Sequence, residues 1–141
     1  MRHGTSIDEA RLRERQMLIA GYAMGAAVST MIYAGIDMGL YPALRSSGPV
    51  TSDELAAATG LHERWLREWL RQQAAARVLE YDRATGRFSM SPEVAALLAE
   101  PDELRSLRPN FTSLSMRYGI LDRLPEAFRT GLGIRWDDRG P

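Results

Sequence analysis

The chain is 141 residues long, with 45% hydrophobic and 26% charged residues, which suits one domain with a buried core and excludes a wholly disordered chain. Eighteen basic and eighteen acidic residues cancel, and every basic one is arginine. Zero net charge argues against a chain built to coat nucleic acid, whose grip comes mainly from neutralised phosphates.

Residues 1–45 read as a helical arm. The first residues run straight into Asp8, Glu9 and Arg11, which is no secretory signal and points to the cytoplasm. Ser6 followed by Glu9 has the spacing of a capping box that opens a helix. From Gln16 to Ile36 there are 21 residues without a charge, enough to span a bilayer. Gln16, Gly21, Tyr22, Gly25, Ser29, Thr30, Tyr33 and Gly35 dilute that run, so it reads as a buried pair of helices with no membrane partner. Gly21 and Gly25 are four apart, as are Gly35 and Gly39, a spacing that lets helices approach closely. So much apolar helix is hard to cover with the ~100 residues that remain. The pattern therefore predicts an arm whose apolar faces are completed by a second copy in a homodimer.

Residues 46–100 read as a winged helix-turn-helix. Ser46-Ser47-Gly48-Pro49 is a loop, and Thr51-Ser52-Asp53-Glu54 is a second capping box. The helix it opens, Asp53 to Ala58, ends at Gly60, and a further helix is predicted from His62 to about Arg77. Val78-Leu79-Glu80-Tyr81 and Arg87-Phe88-Ser89-Met90 read as two strands around the Asp82–Gly86 turn. Ser91-Pro92-Glu93 then starts a helix to about Ala99. Residues 101–141 read as linker helices, from Pro109 to Tyr118 and from Ile120 to Arg129.

A helix-turn-helix invites a DNA reading. At about 100° per residue, Trp65, Leu66, Trp69 and Leu70 share a broad apolar face, and both tryptophans are expected in the core. Arg64, Arg67 and Arg71 line the opposite face, and Arg83 and Arg87 lie on the wing. Guanine readout wants arginines so placed, but Glu63 can pair with Arg67 and Glu68 with Arg64, so a solvated, salt-bridged face is expected and DNA is not the favoured partner.

Chemistry is sparse elsewhere. There is no cysteine, and the histidines are His3 and His62 alone. This excludes disulfides, Cys-ligated zinc, iron–sulfur clusters and cysteine nucleophiles, and argues against a histidine-rich metal site. No P-loop is present, and no G-x-G-x-x-G follows a strand. The residues name no nucleophile, base, cofactor site or metal site.

Four segments carry a family resemblance. Ile36-Asp37-Met38-Gly39-Leu40-Tyr41-Pro42-Ala43-Leu44, Gly48 to Ala56, Thr59 to Leu70 and Asp82 to Phe88 resemble the N-terminal winged-helix domain of bacterial S-adenosylmethionine-dependent methyltransferases. The tail from Ala127 to Gly131 also fits. The resemblance implies a mainly α winged helix-turn-helix with a short hairpin wing, a long N-terminal dimerisation arm and C-terminal linker helices. It implies a domain that dimerises and caps a small-molecule methyl acceptor, while a separate Rossmann-like domain, absent from this sequence, binds S-adenosylmethionine and transfers the methyl group. On that reading the chain holds no cofactor and is inactive alone, and Phe111, Met116, Tyr118, Phe128 and Trp136 line one wall of the acceptor pocket. The family often has Gly where this chain has Arg77. The alternative from another class is a dimeric winged-helix transcription regulator using Arg64, Arg67, Arg71, Arg83 and Arg87.

Overall fold

A computed structural model describes residues 6–100 and 104–135. Helix α1 is a single rod from Glu9 to Asp37 instead of a helix pair, and neither Gly21 nor Gly25 interrupts it. Its N-cap is Asp8, whose Oδ1 accepts from the amides of Ala10 (2.9 Å) and Arg11 (3.2 Å). The cap thus falls two residues beyond the predicted Ser6, because Asp8 reaches the free amides of the first turn itself. Met38 and Gly39 close the rod, and Gly39 takes φ +68°, so the chain reverses there into α2 (Leu40–Ser47). Gly39 therefore shares no helical face with Gly35.

Helix α3 (Ser52–Thr59) opens on the Thr51/Glu54 capping box in both directions, with Glu54 N to Thr51 Oγ1 at 3.2 Å and Thr51 N to Glu54 Oε2 at 2.9 Å. Gly60 ends it at φ +72°. Helix α4 follows from Glu63 to Ala75. Its end is a Schellman motif: Val78 N bonds Gln73 O (2.9 Å) and Arg77 N bonds Ala74 O (3.0 Å). The left-handed position falls on Arg77, at φ +60° and alone among the described non-glycine residues in that region. A Cβ there costs ~1–2 kcal/mol, which glycine avoids at some entropic cost of its own. Arg77→Gly is expected to stabilise the domain by roughly 1 kcal/mol, a rise of ~2–4 °C in Tm; an unchanged or lower Tm in a thermal melt would count against it.

The wing is an antiparallel hairpin, β1 (Glu80–Asp82) with β2 (Arg87–Ser89), pairing Tyr81 with Phe88. The first strand starts two residues later than predicted, because Val78 and Leu79 bond back to Gln73 O at the helix end, and runs on to Asp82, while the second stops one residue short of Met90. Val50 bridges Phe88 from the other side, with N–O distances of 2.9 and 2.8 Å, so the loop before α3 is stitched to the wing. Ser91 caps α5 (Pro92–Leu98) through Val94 N.

The core gathers Ile32, Ile36, Leu40, Tyr41, Leu44, Leu55, Leu66, Trp69, Leu70, Phe88 and Leu98. Gly35 lies directly under the Trp69 ring, whose Nε1 donates to Met31 O at 2.9 Å. Trp65 does not join this core: it is 70% exposed, because it lies to one side of the line through Leu66, Leu70 and Gln73.

Beyond α5, the two predicted linker helices are four shorter pieces: α6 (Arg108–Thr112), α7 (Leu114–Gly119), a 3-10 turn (Leu121–Arg123) and α8 (Leu124–Thr130). Pro125 explains the break before α8, since it has no N–H for a helical bond and its ring clashes one turn back. Helix α6 packs on α1.

Only the last third of α1 is covered. Residues 28–36 are all at least partly buried, whereas residues 6–27 are exposed. The rod is long and apolar enough to cross a membrane by length and composition. Yet its uncharged part clear of the body is residues 16–27, a stretch of ~18 Å at 1.5 Å per residue against a hydrocarbon core of ~30 Å.

Candidate functional site

Three surfaces bear on function: the arginine face of α4 with the wing, the helices α6–α8, and the free arm.

The arginines are largely occupied within the chain. Arg87 grips Glu54 with both terminal nitrogens, at 2.6 and 2.7 Å, and its Nη1 also donates to Pro49 O at 2.8 Å. The guanidinium and the Thr51 amide hold the Glu54 carboxyl below its ordinary range. Arg87 is thus a strut between the wing and the start of α3. Arg67 Nη1 lies 3.7 Å from Glu63, as the spacing predicted. Glu68 pairs with Arg71 at 3.7 Å and not with the expected Arg64, whose guanidinium instead stands over the Trp65 ring, 5.9 Å from its centroid. Arg71 and Arg83 come together at the rim of a depression of about 410 Å³ that Tyr81 and Phe88 also line.

Carboxylates interleaved with arginines weaken attraction to phosphate. An Arg64→Ala/Arg67→Ala/Arg71→Ala triple variant is expected to keep whatever weak affinity the parent shows for duplex DNA, with no change in salt slope. Exposed pairs contribute ~0–1 kcal/mol each, so its Tm should fall by a few degrees at most. Anisotropy of a labelled duplex across a salt series checks this; loss of a steep, salt-dependent binding in the triple variant would favour a DNA reader.

The predicted wall residues are spread along α6–α8. Phe111 packs against the core cluster. The Tyr118 hydroxyl lies 3.3 Å from Thr30 Oγ1, which itself donates to Ala26 O. Phe111 and Tyr118 therefore both lie against α1. Met116 is half-buried. Phe128 is 88% exposed on α8, and Trp136 lies outside the described residues. A depression of about 400 Å³ on α8 is lined by Asp122, Arg123, Ala127, Thr130 and Ile134, among others, and Phe111, Met116, Tyr118 and Phe128 are not among its lining residues. Thr30 was not singled out from the sequence. Its only signal was a hydroxyl inside an uncharged run, which is also the mark of a helix bonding back to its own carbonyl.

The described residues do not fit an S-adenosylmethionine site. The described sheet is one two-stranded antiparallel hairpin. Its glycine turn, Asp82–Gly86, is closed on itself: Asp82 accepts from Ala84 N (2.9 Å) and Thr85 Oγ1 (2.6 Å), and Gly86 N bonds Asp82 O (2.8 Å). That leaves no open row of amides for a nucleotide.

Two helices joined through Gly60, followed by a hairpin wing and a packed helix, make this a winged helix-turn-helix domain. The sequence matches the Rv2258c-like winged HTH domain over residues 26–100, and the chain belongs to that family. It is 30% identical over 107 residues to a mitomycin biosynthesis 6-O-methyltransferase of Streptomyces lavendulae, an alignment covering 76% of this chain and 30% of that protein. Among solved structures it resembles the mitomycin 7-O-methyltransferase MmcR (25% identity, TM-score 0.71, 88% of this chain and 36% of that one). It also resembles CalO1, a methyltransferase in calicheamicin biosynthesis solved in its SAH-bound form (25% identity, TM-score 0.66, 94% of this chain and 38% of that one). The chain thus spans about a third of the length of these relatives. It is related to the N-terminal winged-helix domains of methyltransferases.

Proposed function

We propose that this chain is the dimerisation and substrate-capping domain of an S-adenosylmethionine-dependent methyltransferase acting on a small molecule. Methyl transfer and cofactor binding belong to the part of such enzymes outside the third that this chain spans. Helices α6 and α7, held on α1 through Phe111 and the Tyr118–Thr30 contact, supply a wall for the acceptor, with Met116, Phe128 and Trp136 as further candidate contacts.

The observation that carries this reading is the free part of α1. Met17, Ile19, Tyr22 and Met24 are each about two-thirds exposed or more, and a Cβ added at Gly21 or Gly25 would meet nothing within 4 Å beyond its own helix. A contiguous run of large exposed apolar side chains marks an interaction surface. A second copy supplies the same apolar helix in a twofold, self-complementary contact.

Sedimentation equilibrium over a concentration series tests the dimer. The expected result is a dimer for the parent and a monomer of unchanged helicity for Ile19→Asp/Met24→Asp, which sets two carboxylates on the arm. A parent that stays monomeric at high micromolar concentration overturns the proposal.

A further inference from the structure

We infer that the cleft between α4 and the wing is a binding site for a small planar aromatic molecule that carries one anionic group, a carboxylate or a phosphate. The cleft is the depression of about 410 Å³ lined by Arg71, Ala74, Ala75, Tyr81, Arg83 and Phe88, inside the ~300–1,000 Å³ range of small-molecule pockets. None of these residues belongs to α1 or to α6–α8. The site therefore stands apart from the proposed acceptor wall and does not depend on a dimer.

Strand geometry sorts the charges. Side chains two apart along a strand share a face, so Tyr81 and Arg83 come to the side of the wing that α4 flanks, and Glu80 and Asp82 to the other. The contacts agree. Glu80 Oε2 accepts from Ser89 Oγ at 3.4 Å, and the Asp82 carboxylate is taken up by its own turn. The cleft thus holds two guanidinium groups and no carboxylate among its described lining residues. Arg83 makes no ion pair among the described residues. Arg71 reaches Glu68 only at 3.7 Å, with both side chains more than half exposed, which is beyond hydrogen-bond distance. Both cations are therefore open to an incoming anion, and the planar fork of arginine matches the oxygens of a carboxylate or phosphate. The aromatic part follows from the wall. Tyr81 leans on the buried Phe88, with centroids 4.7 Å apart at 36°, and stays half-exposed, so an aromatic surface is held open at the cleft. Ala74 and Ala75 keep the α4 side low, which leaves room for a flat ring to stack there. A duplex laid along α4 would also meet Glu63 and Glu68, whereas a small molecule within the cleft does not.

Amide chemical shifts of the isotope-labelled chain, followed during titration, test the site. The probes are naphthoate, naphthyl phosphate, neutral naphthamide and inorganic phosphate. The expected result is saturable shifts at Ala74, Ala75, Tyr81 and Arg83 with an aromatic anion, weakened by added salt. The tighter of naphthoate and naphthyl phosphate identifies the anion. Naphthamide, which lacks the charge, and inorganic phosphate, which lacks the ring, should each bind roughly tenfold more weakly or worse. Arg83→Gln, at an exposed turn position, should leave Tm unchanged and weaken the aromatic anion roughly tenfold, the loss of one charge-assisted bond. Shifts that never saturate overturn the site, as does naphthamide or inorganic phosphate binding as tightly as the aromatic anions. An Arg83→Gln chain that binds like the parent overturns it too. A short DNA duplex that perturbs the same amides at lower concentration than either aromatic anion overturns it in favour of nucleic acid.

Discussion

Gly35→Ala is expected to lower the stability of this domain by about 2 kcal/mol, even though the same exchange normally strengthens a helix. Glycine inside a helix is ~0.8–1 kcal/mol worse than alanine, so the bare propensity argument predicts a gain. Here a Cβ would meet Trp69 Cζ2 at 2.5 Å and Tyr41 Cε2 at 2.9 Å, inside the distance that real Cβ contacts keep. Relief requires the indole to move, and it is pinned twice: its Nε1 is bonded to Met31 O, and the Tyr41 ring meets it edge-on, centroids 5.4 Å apart at 66°. Overpacking of this kind costs ~1–3 kcal/mol or more, so the clash exceeds the propensity gain. The measurable result is a Tm lower by ~4–8 °C. Gly25→Ala in the monomeric Ile19→Asp/Met24→Asp background is the control. Gly25 has open space around it, so there the propensity gain should appear alone and Tm should rise slightly. If Gly35→Ala rises with it, Trp69 does not rest on α1 as described.

The two glycines also show what the sequence could and could not reveal. Spacing marked Gly35 as a close-approach site, and Trp69 is what approaches. Spacing marked Gly21 and Gly25 in the same way, but among the described residues a Cβ at either would meet nothing within 4 Å, so the sequence pattern gives a surface without an occupant. Local chemistry was the most legible. The Thr51/Glu54 box, Gly60, the Asp82–Gly86 turn and Ser91 each satisfy backbone groups within four or so residues, and such signals survive without knowledge of the fold. Helix α4 was legible only in part. Leu66, Trp69, Leu70 and Gln73 follow an i, i+3, i+4, i+7 line and are all buried, whereas Trp65 stands about 100° from Leu66. Hydrophobicity placed Trp65 inside and geometry places it outside. Gln73 is the reverse, a polar residue in line with the core. The linker was the least legible, because the weight of helix formers between Ile120 and Arg129 hid the break that Pro125 imposes. The family resemblance supplied what the residues alone did not, namely a reason for a winged helix whose arginines are tied to carboxylates and to an indole.

Gln73 carries the second large effect. It is fully buried, and its Oε1 accepts from the Tyr41 hydroxyl at 2.7 Å, while its Nε2 donates to Gln72 Oε1 at 2.6 Å. Tyr41 is equally buried, and burial alone pushes its phenol well above the ordinary range, so the hydroxyl stays protonated and remains the donor. Tyr41→Phe strands a buried carbonyl oxygen, and Gln73→Leu strands a buried hydroxyl. Each is expected to cost ~1–3 kcal/mol, the penalty for an unsatisfied buried group. The double variant Tyr41→Phe/Gln73→Leu strands neither, and Gln72, half-exposed, can turn to water. Replacing both partners by apolar groups of similar shape is nearly neutral, so the double variant should recover most of what either single change loses, a coupling of ~1–3 kcal/mol in a double-mutant cycle. Denaturant titrations of the four proteins measure it. Additive losses would show that the two side chains do not satisfy one another, and that the junction of α2 and α4 is held by apolar packing in the shared core.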